Sequence, residues 1–187
     1  MLINKLMRFI LVLFFCLNSL QSQSKNLFNK NQPEVNTFGN SWEFVSDKVM
    51  GGLSEGQYQF LSQKNDKFYR LNGIVTTENN GGFIQFRSKL KLSDSKYRGL
   101  KIKVRGDKGS YSVHVRTKYT ILPWQYYCHN FKVSDKWKVV EIPFESFEKS
   151  HTFQPSKFKA NDMSSIAFVA IGFDFVAKLD ILEASFY

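Results

Sequence analysis

The chain has 187 residues, and its 26 Lys and Arg against 16 Asp and Glu give a net charge of +10. That length suits one domain. The basic residues are scattered, so they point to anionic surfaces, glycans or acidic partners and exclude sequence-specific nucleic-acid reading.

Residues 1–24 read as an export signal. Lys5 and Arg8 form a basic start, Phe9 to Leu17 an apolar stretch, and Ser22-Gln23-Ser24 a small-x-small cleavage site. The apolar stretch of nine residues is shorter than the roughly 20 needed to span a bilayer. An uncleaved N-terminal anchor is the other reading. Phe15 before Cys16 argues against a lipoprotein, and the stretch is not the Arg-rich amphipathic helix of a mitochondrial presequence. Cleavage removes no acidic residue, leaves a charge of +8, and predicts a periplasmic or secreted protein without a stable membrane span. It also leaves Cys128 alone, so no internal disulfide is expected and the thiol reads as buried and inert.

Residues 25–40 are polar and Asn-rich and read as a linker. From Ser41 the apolar pattern has period two. Trp42 and Phe44 alternate with polar residues and run into Asp47-Lys48-Val49-Met50-Gly51-Gly52. Paired glycines permit positive φ or close backbone approach, and a buried Met50 would pin that turn to a core. Tyr58, Phe60, Phe68, Leu71 and Ile74 fall in further short runs, and Phe83 to Arg87 is a strand. Leu100 to Arg105 is the cleanest alternation, with Leu100, Ile102 and Val104 on one side and Lys101, Lys103 and Arg105 on the other. In Ser110 to Thr117, Tyr111, Val113 and Val115 face in, while Ser112, His114 and Arg116 face out. Trp124 to Phe131 is an aromatic strand, and Trp137 to Ile142 follows it, with Trp137 read as core. Ile166 to Phe173 is a continuous apolar run, as expected of a central strand buried on both faces, and Leu179 to Tyr187 closes the chain. No segment carries a helical apolar stripe. Short strands at this spacing predict an all-β sandwich or barrel over residues 41–187, with the 19 Phe filling its core.

The catalytic inventory is thin. The histidines are His114, His129 and His151, and His129 follows Cys128, so the two point to opposite strand faces. No zinc spacing, nucleophile elbow, phosphate loop or dinucleotide fingerprint is present. The chain therefore reads as a non-enzyme without a metal or cofactor. Asp47, Asn80 and Asp107 sit at glycine turns, and each has two readings. One is a polar cluster at a ligand- or partner-binding edge, with Ca²⁺ as a candidate guest of the carboxylates. The other is a side chain that caps its own turn. Arg87 has a carboxylate partner in Asp47 or Asp107, or is solvated. On the aromatic strand, Trp124, Tyr126 and Cys128 share one face, read as core. Gln125, Tyr127 and His129 share the other, read as the face for a ligand such as a sugar ring.

Asp47-x-Val49-Met50-Gly51-Gly52-x-Ser54, Asn80-Gly81-Gly82-Phe83 with Arg87, and Gly106-Asp107-x-x-x-Tyr111 stand in order. Arg116-Thr117, Trp137, Ile142-Pro143-Phe144 and Phe147 follow. Together they resemble the complex I intermediate-associated protein 30 family over about Trp42 to Tyr187. The resemblance implies a galactose-binding-like jelly roll and a binding or assembly module for a protein partner, because mitochondrial members act as assembly factors for respiratory complex I. It marks Asp47, Met50, Gly51 and Gly52 as candidates for the binding edge. The segment Glu148 to Phe153 lacks the family's usual glycine, and the hairpin at Phe175 to Leu179 lacks its Gly-Pro-Phe. A carbohydrate-binding module is the competing reading, carried by the aromatic strand and the export signal.

Overall fold

The structure, a computed structural model, describes residues 24–187; the export signal read at residues 1–24 lies outside them, save Ser24. Twelve strands form, all paired antiparallel: β1 (Lys25–Asn26), β2 (Trp42–Ser46), β3 (Glu55–Gln63), β4 (Asp66–Val75), β5 (Phe83–Lys89), β6 (Gly99–Gly106), β7 (Tyr111–Thr117), β8 (Tyr127–Phe131), β9 (Lys138–Pro143), β10 (Glu148–Lys149), β11 (Met163–Ile171) and β12 (Phe175–Phe186). One sheet runs β3-β4-β12-β6-β9, with β1 also on β12; the other runs β10-β8-β7-β11-β5-β2. Helical geometry among the described residues is limited to short 3-10 turns, and no helix there is long and apolar enough to cross a membrane.

The alternation explains the two layers. Leu100, Ile102 and Val104 on β6 and Tyr111, Val113 and Val115 on β7 all turn inward and are buried. Aromatic rings fill the space between the sheets. Phe86 lies 5.2 Å from both Trp42 and Phe168 and 5.9 Å from Tyr69. A second group joins Tyr127, Phe158, Phe144 and Phe147, with Tyr127–Phe158 at 4.8 Å and Phe144–Phe158 at 5.4 Å. Ring pairs at such spacings contribute about 0.5–1.5 kcal/mol each beyond area burial. The run from Ile166 forms β11, an interior strand buried on both faces as far as Ala170.

Three expectations are corrected here. Residues 25–40 are no linker. Leu27 and Phe28 enter the core, and Leu27 N–H donates to the Ala184 carbonyl. Asn36 is buried and ties this segment to β5, donating to Ser88 Oγ at 2.9 Å and to the Lys89 carbonyl at 2.7 Å. Met50 does not pin its turn to a core, being 65% exposed. Trp137 lies outside the core cluster, on the outer face of the first sheet, where its ring covers the Arg105 guanidinium at 4.4 Å. Arg105 and Arg70 converge there on buried Asp180, at 2.9 and 2.6 Å.

Candidate functional site

The described part of the second sheet is concave on its outer side and holds a cleft of about 530 Å³. Strand parity decides its floor. On β11, Ser165, Ala167, Val169 and Ile171 face it; on β5, Phe83, Gln85 and Arg87; on β7, His114 and Arg116. Val45 of β2 closes one side. Two loops form the walls, one carrying Val49 and Met50, the other Pro123, Trp124, Gln125 and Tyr126.

The first wall depends on Asp47. Its carboxylate is fully buried. It accepts hydrogen bonds from Ser54 N at 2.9 Å, Ser54 Oγ at 2.5 Å, Gly82 N at 2.5 Å and Phe83 N at 3.1 Å. One side chain thus fastens the first glycine turn to the second, 35 residues away. The glycine pairs divide the task. Gly51 and Gly82 have positive φ, at 90° and 127°. Gly52 and Gly81 lie against the carboxylate, where an added Cβ would come within 2.4 Å of Asp47 atoms. Burial pushes the Asp47 carboxyl pKa up, but the Gly82, Ser54 and Phe83 hydrogen bonds outweigh it and hold it below the usual aspartate value. Val49 and Met50 ride on this rigid base and project into solvent at the cleft mouth.

The second wall is held by polar side chains bonding the backbone. Arg116 donates through Nη2 to the Thr120 and Leu122 carbonyls, at 3.1 and 3.0 Å, and through Nη1 to Pro123 at 3.4 Å. Gln125 Oε1 accepts from Ile121 N and Leu122 N, at 2.8 and 3.0 Å. Trp124 is thereby presented 57% exposed, its Nε1 donating to His151 Nε2 at 3.1 Å. Tyr126 stacks on His114, with centroids 4.1 Å apart and planes 9° off parallel. Burial pulls the His114 pKa down to about 4, so the imidazole is neutral at pH 7.

Of the residues singled out in the sequence, Met50 and Arg87 line the cleft, and Asp47, Gly51 and Gly52 support its wall. The others lie elsewhere. Asn80 is an exposed turn residue with φ of 57°. Asp107 is exposed at the β6–β7 turn, 3.9 Å from Lys178 Nζ. Arg87 pairs with neither aspartate; its nearest carboxylate is Glu43, at 3.4 Å on the solvent side. The aromatic strand is the other way round from its reading. Tyr127 is fully buried and donates to the Pro155 carbonyl, and His129 contacts Ser146 through Nδ1 at 3.0 Å. Neither lines the cleft, whereas Trp124 and Tyr126 do. Phe131 carried the missed signal: it shares parity with Tyr127 and His129, and a Tyr-x-His-x-Phe row is the more apolar end of the strand.

No carboxylate lines the cleft, so it offers no paired-carboxylate acid–base site. Cys128 is the cross-strand partner of His114, but burial and then Glu148 push its thiol pKa up, away from a reactive thiolate. Among the described residues no three His, Cys, Asp or Glu are grouped to hold a metal.

A family model described as Complex I intermediate-associated protein 30 matches residues 28–181. No curated protein matches the chain in sequence. Among solved structures, the family 11 carbohydrate-binding module of cellulosomal cellulase Lic26A-Cel5E of Clostridium thermocellum is similar with a TM-score of 0.63 and 17% identity, over 78% of this chain and 86% of that one. The family 11 module from Clostridium thermocellum in complex with a beta-1,3-1,4-mixed-linked tetrasaccharide gives 0.66 and 17%, over 87% and 94%. The family 30 module of Clostridium thermocellum cellulase Cel9D-Cel44B gives 0.56 and 13%, over 88% and 96%. At such identities the likeness shows the fold, a β-sandwich jelly roll.

Proposed function

We propose that this chain, which belongs to the complex I intermediate-associated protein 30 family, is a non-catalytic binding module that holds a segment of a partner protein in its concave cleft, in the manner of an assembly factor. The observation that carries this reading is the character of the cleft. Its lining, floor and walls together, is largely apolar, and Val49, Met50 and Trp124 stand exposed at its mouth. Exposed apolar and aromatic anchors of this kind suit protein recognition. Several polar groups nearby are already committed: Arg116 to three carbonyls and Gln125 to two backbone N–H groups. Fewer therefore remain for the hydroxyls of a sugar. The family's description names intermediates of complex I as what its members associate with. The export-type leader at residues 1–24 directs the search to partners in the cell envelope.

The test is affinity purification of the tagged protein from its own cells, with mass spectrometry of the eluate. Polypeptides captured by wild type and by the outer-face variant Val139→Glu, but lost with Met50→Glu/Trp124→Ala, support the reading. Equal capture by the double variant counts against it.

A second reading, glycan binding, is favoured by the Trp124 platform, by the stacked His114–Tyr126 pair, and by similarity to carbohydrate-binding modules, one solved with a tetrasaccharide. An eluate without polypeptides, together with saturable binding of mixed-linked β-glucan oligosaccharides, would favour it.

A further inference from the structure

The cleft is polarised along β11. Its floor runs from Ile171 and Val169 through Ala167 to Ser165, so it becomes smaller and more polar toward one end. The flanking strands gain charge in the same direction. On β5, Phe83 stands opposite Ile171, Gln85 opposite Val169, Arg87 opposite Ala167 and Lys89 opposite Ser165. On β7, His114 stands opposite Ala167 and Arg116 opposite Ser165. One end is therefore uncharged, with Phe83, Val169 and Ile171 beside the amide of Gln85, and the other carries the guanidinium groups of Arg87 and Arg116.

The cationic end is poorly compensated. No Asp or Glu lines the cleft. Arg116 spends its donors on neutral carbonyls, which satisfy its N–H groups without cancelling its charge. Glu43 Oε2 accepts from Arg87 Nε and Nη2 at 3.4 and 3.5 Å, long contacts between two solvated side chains that water and salt screen. Burial, then repulsion from Arg87, pulls the Arg116 pKa down. An anion placed between the two guanidinium groups would relieve that repulsion, accepting charge-assisted hydrogen bonds from Arg87 while Arg116 acts through its charge.

We propose that the cleft selects an extended, acidic polypeptide segment, with apolar side chains over Val169 and Ile171 and one or two carboxylates against Arg87 and Arg116. This deepens the reading of the cleft as a protein-binding site and rests on it. An extended chain rises about 3.3 Å per residue, so the stretch of β11 from Ser165 to Ile171 matches roughly six or seven partner residues. The apolar end separates this ligand from a free anion, which would have nothing to place there. Alternate side chains of a strand meet the floor, so the expected pattern is apolar, apolar, acidic at every second position.

The test pans a displayed library of random dodecapeptides against the purified protein and against Arg87→Gln, with Arg116→Gln as a second variant. Enrichment of Asp and Glu beside apolar residues, lost with Arg87→Gln, supports the proposal. For the best peptide, Glu→Gln should weaken binding about tenfold, as for the loss of a charge-assisted hydrogen bond. Raised salt should weaken binding too. Apolar peptides enriched without charge bias would overturn this inference and leave the protein-binding reading standing. Failure of every peptide, with or without binding of mixed-linked β-glucan or oligogalacturonate, would overturn both. Oligogalacturonate binding alone would reassign the arginines to an acidic glycan.

Discussion

Replacing Asp47 should cost more than any substitution at the cleft surface. In Asp47→Ala, the N–H groups of Ser54, Gly82 and Phe83 lose their acceptor. The Ser54 hydroxyl does not, because the Thr76 carbonyl lies 3.2 Å away. An orphaned buried donor costs about 1–3 kcal/mol, so three at the low end, eased by water entry, give about 3–5 kcal/mol. With a urea m-value of about 2 kcal/mol/M, the unfolding midpoint should fall by about 1.5–2.5 M. Asp47→Asn keeps the shape but turns an amide donor toward the Gly82 and Ser54 donors, and should lose about 2–3 kcal/mol. The pH dependence supplies a second readout. The folded pKa of Asp47 lies below its ordinary value. Its contribution is therefore present above about pH 4 and lost as pH falls through the folded value. The wild-type-minus-Asn difference should shrink in that window. A midpoint within 0.3 M of wild type for Asp47→Ala would refute the claim that this carboxylate fastens the two turns.

Asp180→Ala leaves Arg70 and Arg105 converging on a site without its carboxylate. It should cost about 3 kcal/mol, read as a drop in melting temperature of roughly 6–12 °C. His114 is held neutral to about pH 4, so the unfolded chain takes up its proton first as pH falls from 6.5. Stability should decline across pH 6.5–4, and His114→Gln should flatten that part of the curve in urea titrations. Trp124→Ala should remove partner binding at the cleft with a stability change within about 0.5 kcal/mol, since the ring is more than half exposed. Cys128 should react with a disulfide reagent more slowly than free cysteine at pH 8, because its pKa is raised.

The layers were legible in the sequence because period two is local: β6 and β7 can be read residue by residue. Which side of β8 meets the core was not. The strand begins only at Tyr127, so alternation does not place Trp124, which stands on the loop before it, and only the pairing of Cys128 with His114 shows which side of β8 is the cleft side. Polarity misleads here, since the set with Gln125 and His129 is the more polar of the two and yet Tyr127 and His129 lie off the cleft. Asp47 was visible as a turn carboxylate, but its bonds to Gly82 and Phe83 span a separation no local pattern reveals. Polar composition hid residues 25–40, where the buried amide of Asn36 replaces a strand partner and Leu27 and Phe28 supply the packing. A methionine beside paired glycines suits a buried turn, yet Met50 is exposed. The buried group there is the aspartate, and the methionine is free to meet a partner.

The central claim is that the concave face, and not the outer face of the first sheet, captures a polypeptide. Its most direct test is photo-crosslinking in the native cells with p-benzoylphenylalanine at position 50 or 124, against the same probe at position 139. Discrete protein adducts from the two cleft positions and none from position 139 are the predicted result. Adducts from position 139 alone, or none from positions 50 and 124 while the protein stays folded, would contradict it.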